Sequence, residues 1–590
     1  MRCETSFFSF TLYKKHLKRY WPLWAAWLAF WLLAIPVQLW NRATWYYADN
    51  GHTLRAYAAE MPLNVLTALF PLLACLAASV AVAVFFHLFK SPAANFVGAL
   101  PLRRGGVFAT AFAAGYTMMV GPLAVVTVVT ILVEMVLGCG VAPQILTFLA
   151  AGALSSFFWF SFATLCCVIS GHAVAAVAFY GIFNWIVPVM VALIEGLLSG
   201  FLYGFVGFTQ GFYEVSNWLC PVMQLMRHHW YQFVDWNMLA IYAAVGFLML
   251  LSSLGLHHIR KAERCGDLIA FVPVKWLFKI CVTFCGGMGF GTFLTILIFN
   301  NMSLSTGDGS RFGVCCAVAA FLCYMASEML LAKSFKVWKH WKGAVISAVC
   351  FILAVAAVDM DWIGFTTRIP NPASVKEATV SIHGSELASV VENGLIFTGE
   401  DVKAVTDLHQ YLVDHRGSEE ISNAASIDRC YLNVQMDYDL GWTSLRRKYT
   451  CSYYKGSQMD QLLDEALARG DISFPYDSGT PNVIYLDLRV PVEADYTYIS
   501  CEISPEDLKP VWDAVTADVR AGRYALRTAP TSELRESEGG VYARWYSADG
   551  RTEKSYEMSL SPEMTETWKE LEARRYTEAA SQFVDTELVD

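Results

Sequence analysis

Between two long apolar stretches the chain reads Lys90-Ser-Pro-Ala-Ala-Asn95-Phe-Val-Gly-Ala-Leu100-Pro-Leu-Arg-Arg104. Lys90, Arg103 and Arg104 are cations, Ser91 and Asn95 are small hydrogen-bonding groups, and Phe96, Leu100 and Pro101 are apolar. That mixture in one short connection suits docking, with apolar groups filling a groove while cations orient the partner. It lacks the activated nucleophile or acid–base pair that bond-making needs. Catalytic signatures are missing elsewhere too. No Lys follows a Gly anywhere, so no G-x-x-x-x-G-K-S/T phosphate loop exists, and H-E-x-x-H, G-x-S-x-G and C-x-x-C are likewise absent. His228-His229 and His257-His258 are adjacent pairs whose side chains diverge on a helix, which argues against a shared metal. The expectation is a protein that is not an enzyme, binds no cofactor itself and, at net charge −9, has no nucleic-acid partner.

Glu134, Glu195 and Glu328 fall inside apolar stretches, where an ionisable group is a candidate for a functional role. Glu134 and Glu195 sit near span ends and are expected to reach the interface; Glu328 lies one turn from Lys333, its expected ion partner. Gly287-x-x-x-Gly291 fits close helix packing. Thirteen of the sixteen cysteines lie in the apolar part, where Cys behaves as a small hydrophobe. Cys430 and Cys451 flank a turn at equal distance, so they either pair across a hairpin or remain two free strand thiols.

These groups must be carried by two kinds of element. Residues 1–358 hold 21 Lys+Arg and 11 Asp+Glu, a net of +10; residues 359–590 hold 22 and 41, a net of −19. A span needs about 20 mostly apolar residues, and nine segments qualify: 21–40, 62–88, 107–137, 145–170, 173–195, 237–257, 275–299, 313–332 and 343–358. The third is long enough to tilt, or to bend at Gly121-Pro122. No cleavable leader is read at the N-terminus, because the apolar stretch after residue 20 is long enough to span. With the N-terminus inside, the inner connections carry 17 Lys+Arg and the outer ones 4, Arg42, Arg55, Arg227 and Arg311. An odd number of spans then puts the acidic tail outside. The connection 197–236, rich in Phe, Tyr and Trp and punctuated by Gly200, Gly204, Gly207 and Gly211, reads as a helical hairpin dipping into the outer interface, or as one more short span with an aromatic belt.

The tail alternates strands and helices. Strands are expected at 378–383, 429–438, 444–454, 482–490, 495–502, 540–547 and 553–560. Helices are expected after Thr398, near 458–469, and from the two starts Ser504-Pro-Glu-Asp507 and Ser561-Pro-Glu-Met564, with Ser as cap and Pro in the first turn. A hairpin-then-helix unit thus recurs about three times. The fold class is a membrane all-α bundle of about nine helices followed by an α+β domain of repeated β-hairpin–helix units.

The connection at 89–104 resembles the first cytoplasmic loop of ABC-2-type exporter permeases, where Leu-Pro-x followed by two basic residues precedes the third span. Leu100, Pro101, Arg103 and Arg104 match that phrase. The resemblance implies that Ser91–Ala99 is the segment that couples to a separate ABC ATPase subunit, with Lys90, Ser91, Asn95, Phe96, Leu100, Pro101, Arg103 and Arg104 as partner-binding residues. It also implies an interfacial helix at 1–20, a six-helix permease core at 21–258, three further spans at 259–358 and an extracytoplasmic domain at 359–590. Leu408-His409 and the phrase Tyr438-x-Leu-Gly441 with Arg447-x-Tyr449 look like Firmicutes permeases bearing such a domain. Implied partners are the ATPase carrying ATP-Mg, a second permease copy or paired permease, and the lipids of a bacterial cell membrane. A rival reading is a sensor or resistance protein whose outer domain binds a peptide or cell-wall ligand.

Overall fold

In a computed structural model of the chain, residues 8–46, 52–227, 234–299, 309–384, 387–416, 430–492, 495–527, 539–546 and 552–576 are described. Residues 1–7 of the expected interfacial helix, His228-His229 and the rest of 228–233 in the aromatic connection, and residues 429 and 547 at the ends of two expected strands lie outside them. The chain divides into two compact units, Met1–Leu197 with Phe208–Ala357, and Leu198–Gly207 with Val358–Asp590.

The first unit is helical. Its opening helix α1 (Phe10–Arg19) is capped by Ser9 and carries His16, Lys18 and Arg19 in its last turn, where cations meet the negative helix end. α2 (Trp21–Leu32) runs through a π-helical turn at Leu33–Val37, which absorbs Pro36, into α3 (Gln38–Tyr46). The second expected span is two helices, α4 (His52–Ala68) and α5 (Phe70–Val84), bent by 56°. Leu69 leaves helical geometry there and Pro71 opens the new helix. After the short α6 (Ser91–Gly98), α7 (Arg104–Leu137) runs unbroken through Gly121-Pro122, without the bend that was one of the two expectations there. α8 (Ala142–Ile169) and α9 (Ala173–Phe201) follow. The aromatic connection then holds two short helices, α10 (Gln210–Trp218) and α11 (Pro221–Arg227). Neither is long enough to span. α12 (Trp236–Ile259), α13 (Val272–Phe299), α14 (Gly309–Ala332) and α15 (Trp341–Asp359) complete the unit. Among the described residues eight helices are long and apolar enough to cross a membrane, and the bent α4–α5 pair makes a ninth if counted as one span. Gly287 and Gly291 serve close packing: a Cβ on Gly291 would stand 2.7 Å from Cys316 Cα, and one on Gly287 2.7 Å from the Phe351 ring.

The second unit holds two antiparallel sheets. The first runs β4-β3-β1-β2-β5, from β1 (Glu377–Gly384), β2 (Leu395–Thr398), β3 (Cys430–Asp439), β4 (Ser444–Tyr453) and β5 (Asp471–Ile472). The second runs β7-β6-β8-β9, from β6 (Val483–Val492), β7 (Asp495–Glu502), β8 (Gly539–Tyr546) and β9 (Thr552–Leu560). Strict alternation puts Leu432, Val434, Met436 and Tyr438 of β3 inside, and Val541, Ala543 and Trp545 of β8 likewise. The helices are α16 (Ser389–Glu392), α17 (Val402–Asp414), α18 (Gln458–Arg469), α19 (Leu508–Arg520) and α20 (Thr565–Ala573). Three hairpin–helix units are present, β3-β4-α18, β6-β7-α19 and β8-β9-α20, and one apolar core joins both sheets. The sequence reading lacked β2, β5 and α16. Cys430 stands opposite Tyr453 and Cys451 opposite Leu432, two positions out of register, so the two do not pair with each other.

The Ser-Pro-Glu starts form turns, and the helices begin four residues later at Leu508 and Thr565. Asp518, on α19 and fully buried, supplies the cap expected of Ser561. It accepts the amide (2.7 Å) and hydroxyl (2.6 Å) of Thr567, the amide of Glu566 (3.3 Å) and Nε of Arg523 (2.7 Å). Thr398 likewise makes no side-chain cap; a 3-10 turn at Gly399–Asp401 leads into α17. Asp518→Ala leaves these donors unmet in the core and is expected to lower stability by about 2–4 kcal/mol. The check is a fall in the unfolding midpoint of the full chain in detergent; an unchanged midpoint would refute the cap.

Candidate coupling face and the buried cluster of the tail

α6 forms because Lys90, in extended geometry, hands over to Ser91-Pro92, and Pro is preset for a first helical turn. It ends at Gly98, and Arg103, again extended, caps the start of α7. Lys90, Ser91, Asn95, Phe96, Pro101, Arg103 and Arg104 are exposed and Leu100 is half-buried. Phe96 leaves 65% of its surface open, an apolar knob on a helix of eight residues. Lys90 Nζ lies 5.2 Å from the Phe86 ring centre, and Arg104 donates to the His258 carbonyl at 3.3 Å. All eight residues therefore fall on one short stretch of surface, and Arg104 ties it to the end of α12.

Behind this surface sits a residue that the sequence reading took only as one more inner cation. Arg260 is buried and its guanidinium donates to three carbonyls, Cys167 (3.1 Å), Val168 (2.7 Å) and Leu88 (2.7 Å). A helix leaves its last four carbonyls without intrahelical partners. In α8 all four are met: Cys166 by the Ser170 amide, Cys167 and Val168 by Arg260, and Ile169 by the Ala270 amide. Leu88 ends the 3-10 turn before α6, so one side chain joins α8, α12 and the base of α6. The chain after α12 is sewn to the same place. Gly171 and Asp267 exchange backbone bonds with their neighbours, with Gly171 donating to Asp267 at 3.0 Å and Gly266 donating to Gly171 at 2.7 Å. A Cβ on Gly171 would stand 2.3 Å from the Arg264 carbonyl, so only glycine fits.

The carboxylates inside the spans are structural. Glu134 is buried within the first unit and accepts the Val141 amide, closing the α7–α8 turn. Glu195 accepts from Tyr213 on α10. Glu328 pairs with Lys279 across α13 and α14 rather than with Lys333. Lys333 turns away through a positive φ of 51° and meets Asp267 at 3.0 Å.

In the second unit the phrase residues of the tail converge. His409, fully buried, holds Nδ1 3.0 Å from the Tyr438 hydroxyl and Nε2 2.7 Å from that of Tyr449. Arg447, 1% exposed, lays its guanidinium 3.8 Å from the Phe365 ring centre and donates to the Phe365 carbonyl at 2.7 Å. Segment Leu198–Gly207 docks here: the Lys448 amide of edge strand β4 donates to the Gly204 carbonyl at 3.1 Å, and the Tyr203 and Tyr449 rings lie 4.9 Å apart. Gly204, at φ +84°, has no room for a Cβ beside Tyr449.

The fold and these sites define a multi-pass membrane protein carrying an α+β domain. No protein-family model, no curated protein and no solved structure matches this chain.

Arg260→Ala strands three carbonyls and is expected to cost at least about 3 kcal/mol, read as a fall in the unfolding midpoint. Arg260→Lys, which cannot fork to three acceptors, recovers only part. Burial first, and the Arg447 charge second, push His409 down from 6.5 to about 4. The fold keeps it neutral while the unfolded chain takes up a proton. The stability present above pH 6.5 is therefore lost as pH falls toward 4, by about 3 kcal/mol in all. Thermal unfolding at pH 7.5 and 4.5 checks this, with wild type losing more between the two than His409→Gln; equal losses would exclude His409 as the source.

Proposed function

We propose that this chain is the membrane subunit of an ATP-driven transporter of the ABC-2 exporter type, coupled through residues 89–104 to a separate ATPase subunit that binds ATP-Mg. The observation that carries the reading is α6 itself: a short helix presenting exposed Phe96 between Lys90 and Arg103-Arg104, on a footing that Arg260 makes rigid. Rigid elements with fixed junctions can pass a push at α6 to α5, α8 and α12 as a body. The missing phosphate loop accords with energy entering from a partner.

The outward placement of the tail draws support from parity. Leu198–Gly207 belongs to the same compact unit as the tail, and α12, α13, α14 and α15 lie between them in the chain. Four crossings return the chain to the side it left. The tail then shares the side of the aromatic connection however the earlier spans are counted, and the charge bias makes that side the outside. In the first unit an almost wholly apolar groove of about 740 Å³ runs along α5, α9 and α11 past Ala78, Tyr180, Asn184 and Met223. It suits an apolar or amphipathic cargo, or the face of a second copy.

The sensor reading is favoured by one observation, the capture of Leu198–Gly207 by the tail, which ties the end of α9 to the state of the outer domain. The two readings separate by purification. The tagged full chain from its native membrane is expected to bring an ATPase subunit with it. Leu100→Ala with Pro101→Ala, or Arg103→Glu with Arg104→Glu, is expected to abolish that association while membrane insertion persists. Unchanged co-purification would sink the coupling assignment.

A further inference from the structure

On the flank of α6 that faces α1 lies a cavity that shares Phe96 and Leu100 with the candidate docking stretch. It measures about 310 Å³ and is bounded by α1, the end of α5, α6 and the start of α7. Lys15, His16 and Arg19 of α1 stand on one wall; Val84, Val97 and Leu100 form part of an apolar floor, and among the described residues no carboxylate lines it. Among the described residues neither Lys15 nor Arg19 forms an ion pair with a carboxylate within 4 Å. His87 lines the same space, and its Nε2 is buried with no hydrogen-bond partner among the described residues.

The cavity is built. α1 is pinned to α7 by the Ser9 amide on Thr110 Oγ1 (3.1 Å) and by the Tyr13 hydroxyl on Thr117 Oγ1 (3.0 Å). Its volume is at the lower end of small-ligand sites, about 300–1,000 Å³. α1 leads directly into the first span, and Tyr20 and Trp21 at their junction are residues that favour the membrane–water interface. A ligand here needs an anionic head for two cations that pair with no carboxylate among the described residues, and a chain for an apolar floor. A free phosphate would leave the floor unfilled; a zwitterionic lipid would bring its own cation to a cationic wall.

We infer that this cavity takes one anionic phospholipid, with its phosphate on Lys15 and Arg19 and one acyl chain along Val84, Val97 and Leu100. The lipid would brace α6 against α1 from the membrane side. This inference rests on the membrane placement of α1 and not on an ATPase partner, so it can fail or hold independently of the transporter reading.

The test uses the full chain, delipidated in neutral detergent and followed by native mass spectrometry. Three probes are compared: phosphatidylglycerol, phosphatidylcholine and glycerol 3-phosphate. One phosphatidylglycerol is expected to be retained at least about tenfold more tightly than phosphatidylcholine, since each cation contributes about fivefold. Lys15→Gln with Arg19→Gln is expected to lose about 25-fold; Lys15→Arg with Arg19→Lys keeps the charge and the binding. Ala83→Phe, which fills the apolar part, weakens binding with no change of charge. Equal retention of the two phospholipids, or no loss in the Gln pair, overturns the site. Equal loss in the charge-preserving pair shows that charge does not hold the lipid, and glycerol 3-phosphate binding as tightly as phosphatidylglycerol assigns the cavity to a free anion.

Discussion

The first unit depends on how one helix ends. α8 is heavily buried, and its last carbonyls point where no further turn can receive them. Left unmet they would cost several kcal/mol together. Arg260 and the strand-like segment 266–271 meet them, and in doing so they set where α12, α13 and the base of α6 attach. A lysine offers one point charge; the planar guanidinium reaches three acceptors from one position. The junction is therefore stiff for the same reason that it is satisfied. What stands on it, α6 with its exposed phenylalanine, inherits that stiffness.

A second constraint organises the tail. Buried polar groups there come in sets, His409 with Tyr438 and Tyr449, Arg447 with the Phe365 carbonyl, and Asp518 with Thr567, Glu566 and Arg523. Each set links elements far apart in sequence, so the two sheets and their helices hold one arrangement and not a family of them. Asp518 shows the economy of this: one carboxylate on α19 caps α20 and anchors the loop after α19 through Arg523.

Much of this was legible in the chain. Spans follow from local apolar content, and the segments read from sequence coincide with the helices, including the 62–88 stretch that the structure bends at Leu69. The hairpin–helix units of the tail were visible because β3, β4, β6, β8 and β9 carry long alternating patterns. β2 has four residues and β5 two, too few for any period to show, and they exist through backbone pairing with β1 and with each other. The Ser-Pro-Glu starts misled because both form turns before the helix, and after Ser561 the capping is done by the remote carboxylate of Asp518. Arg260 was hidden for a like reason. Its neighbours in sequence are cations and polar residues, whereas its partners are carbonyls at positions 88, 167 and 168. The candidate docking residues were readable as a cluster because they are contiguous; their footing was not.

Strand β4 lies at the edge of its sheet, and an open edge is a template for unwanted pairing with other chains. Gly204 covers part of that edge, yet it is made long before Lys448, and helices α10 to α17 intervene. During synthesis the loop must therefore wait, and the sheet must arrive, before the two close on each other. The maturation of this protein thus has a late, long-range step, slow by the ordinary relation between loop closure and rate. Until it is taken, the tail carries an exposed strand edge open to pairing with other chains.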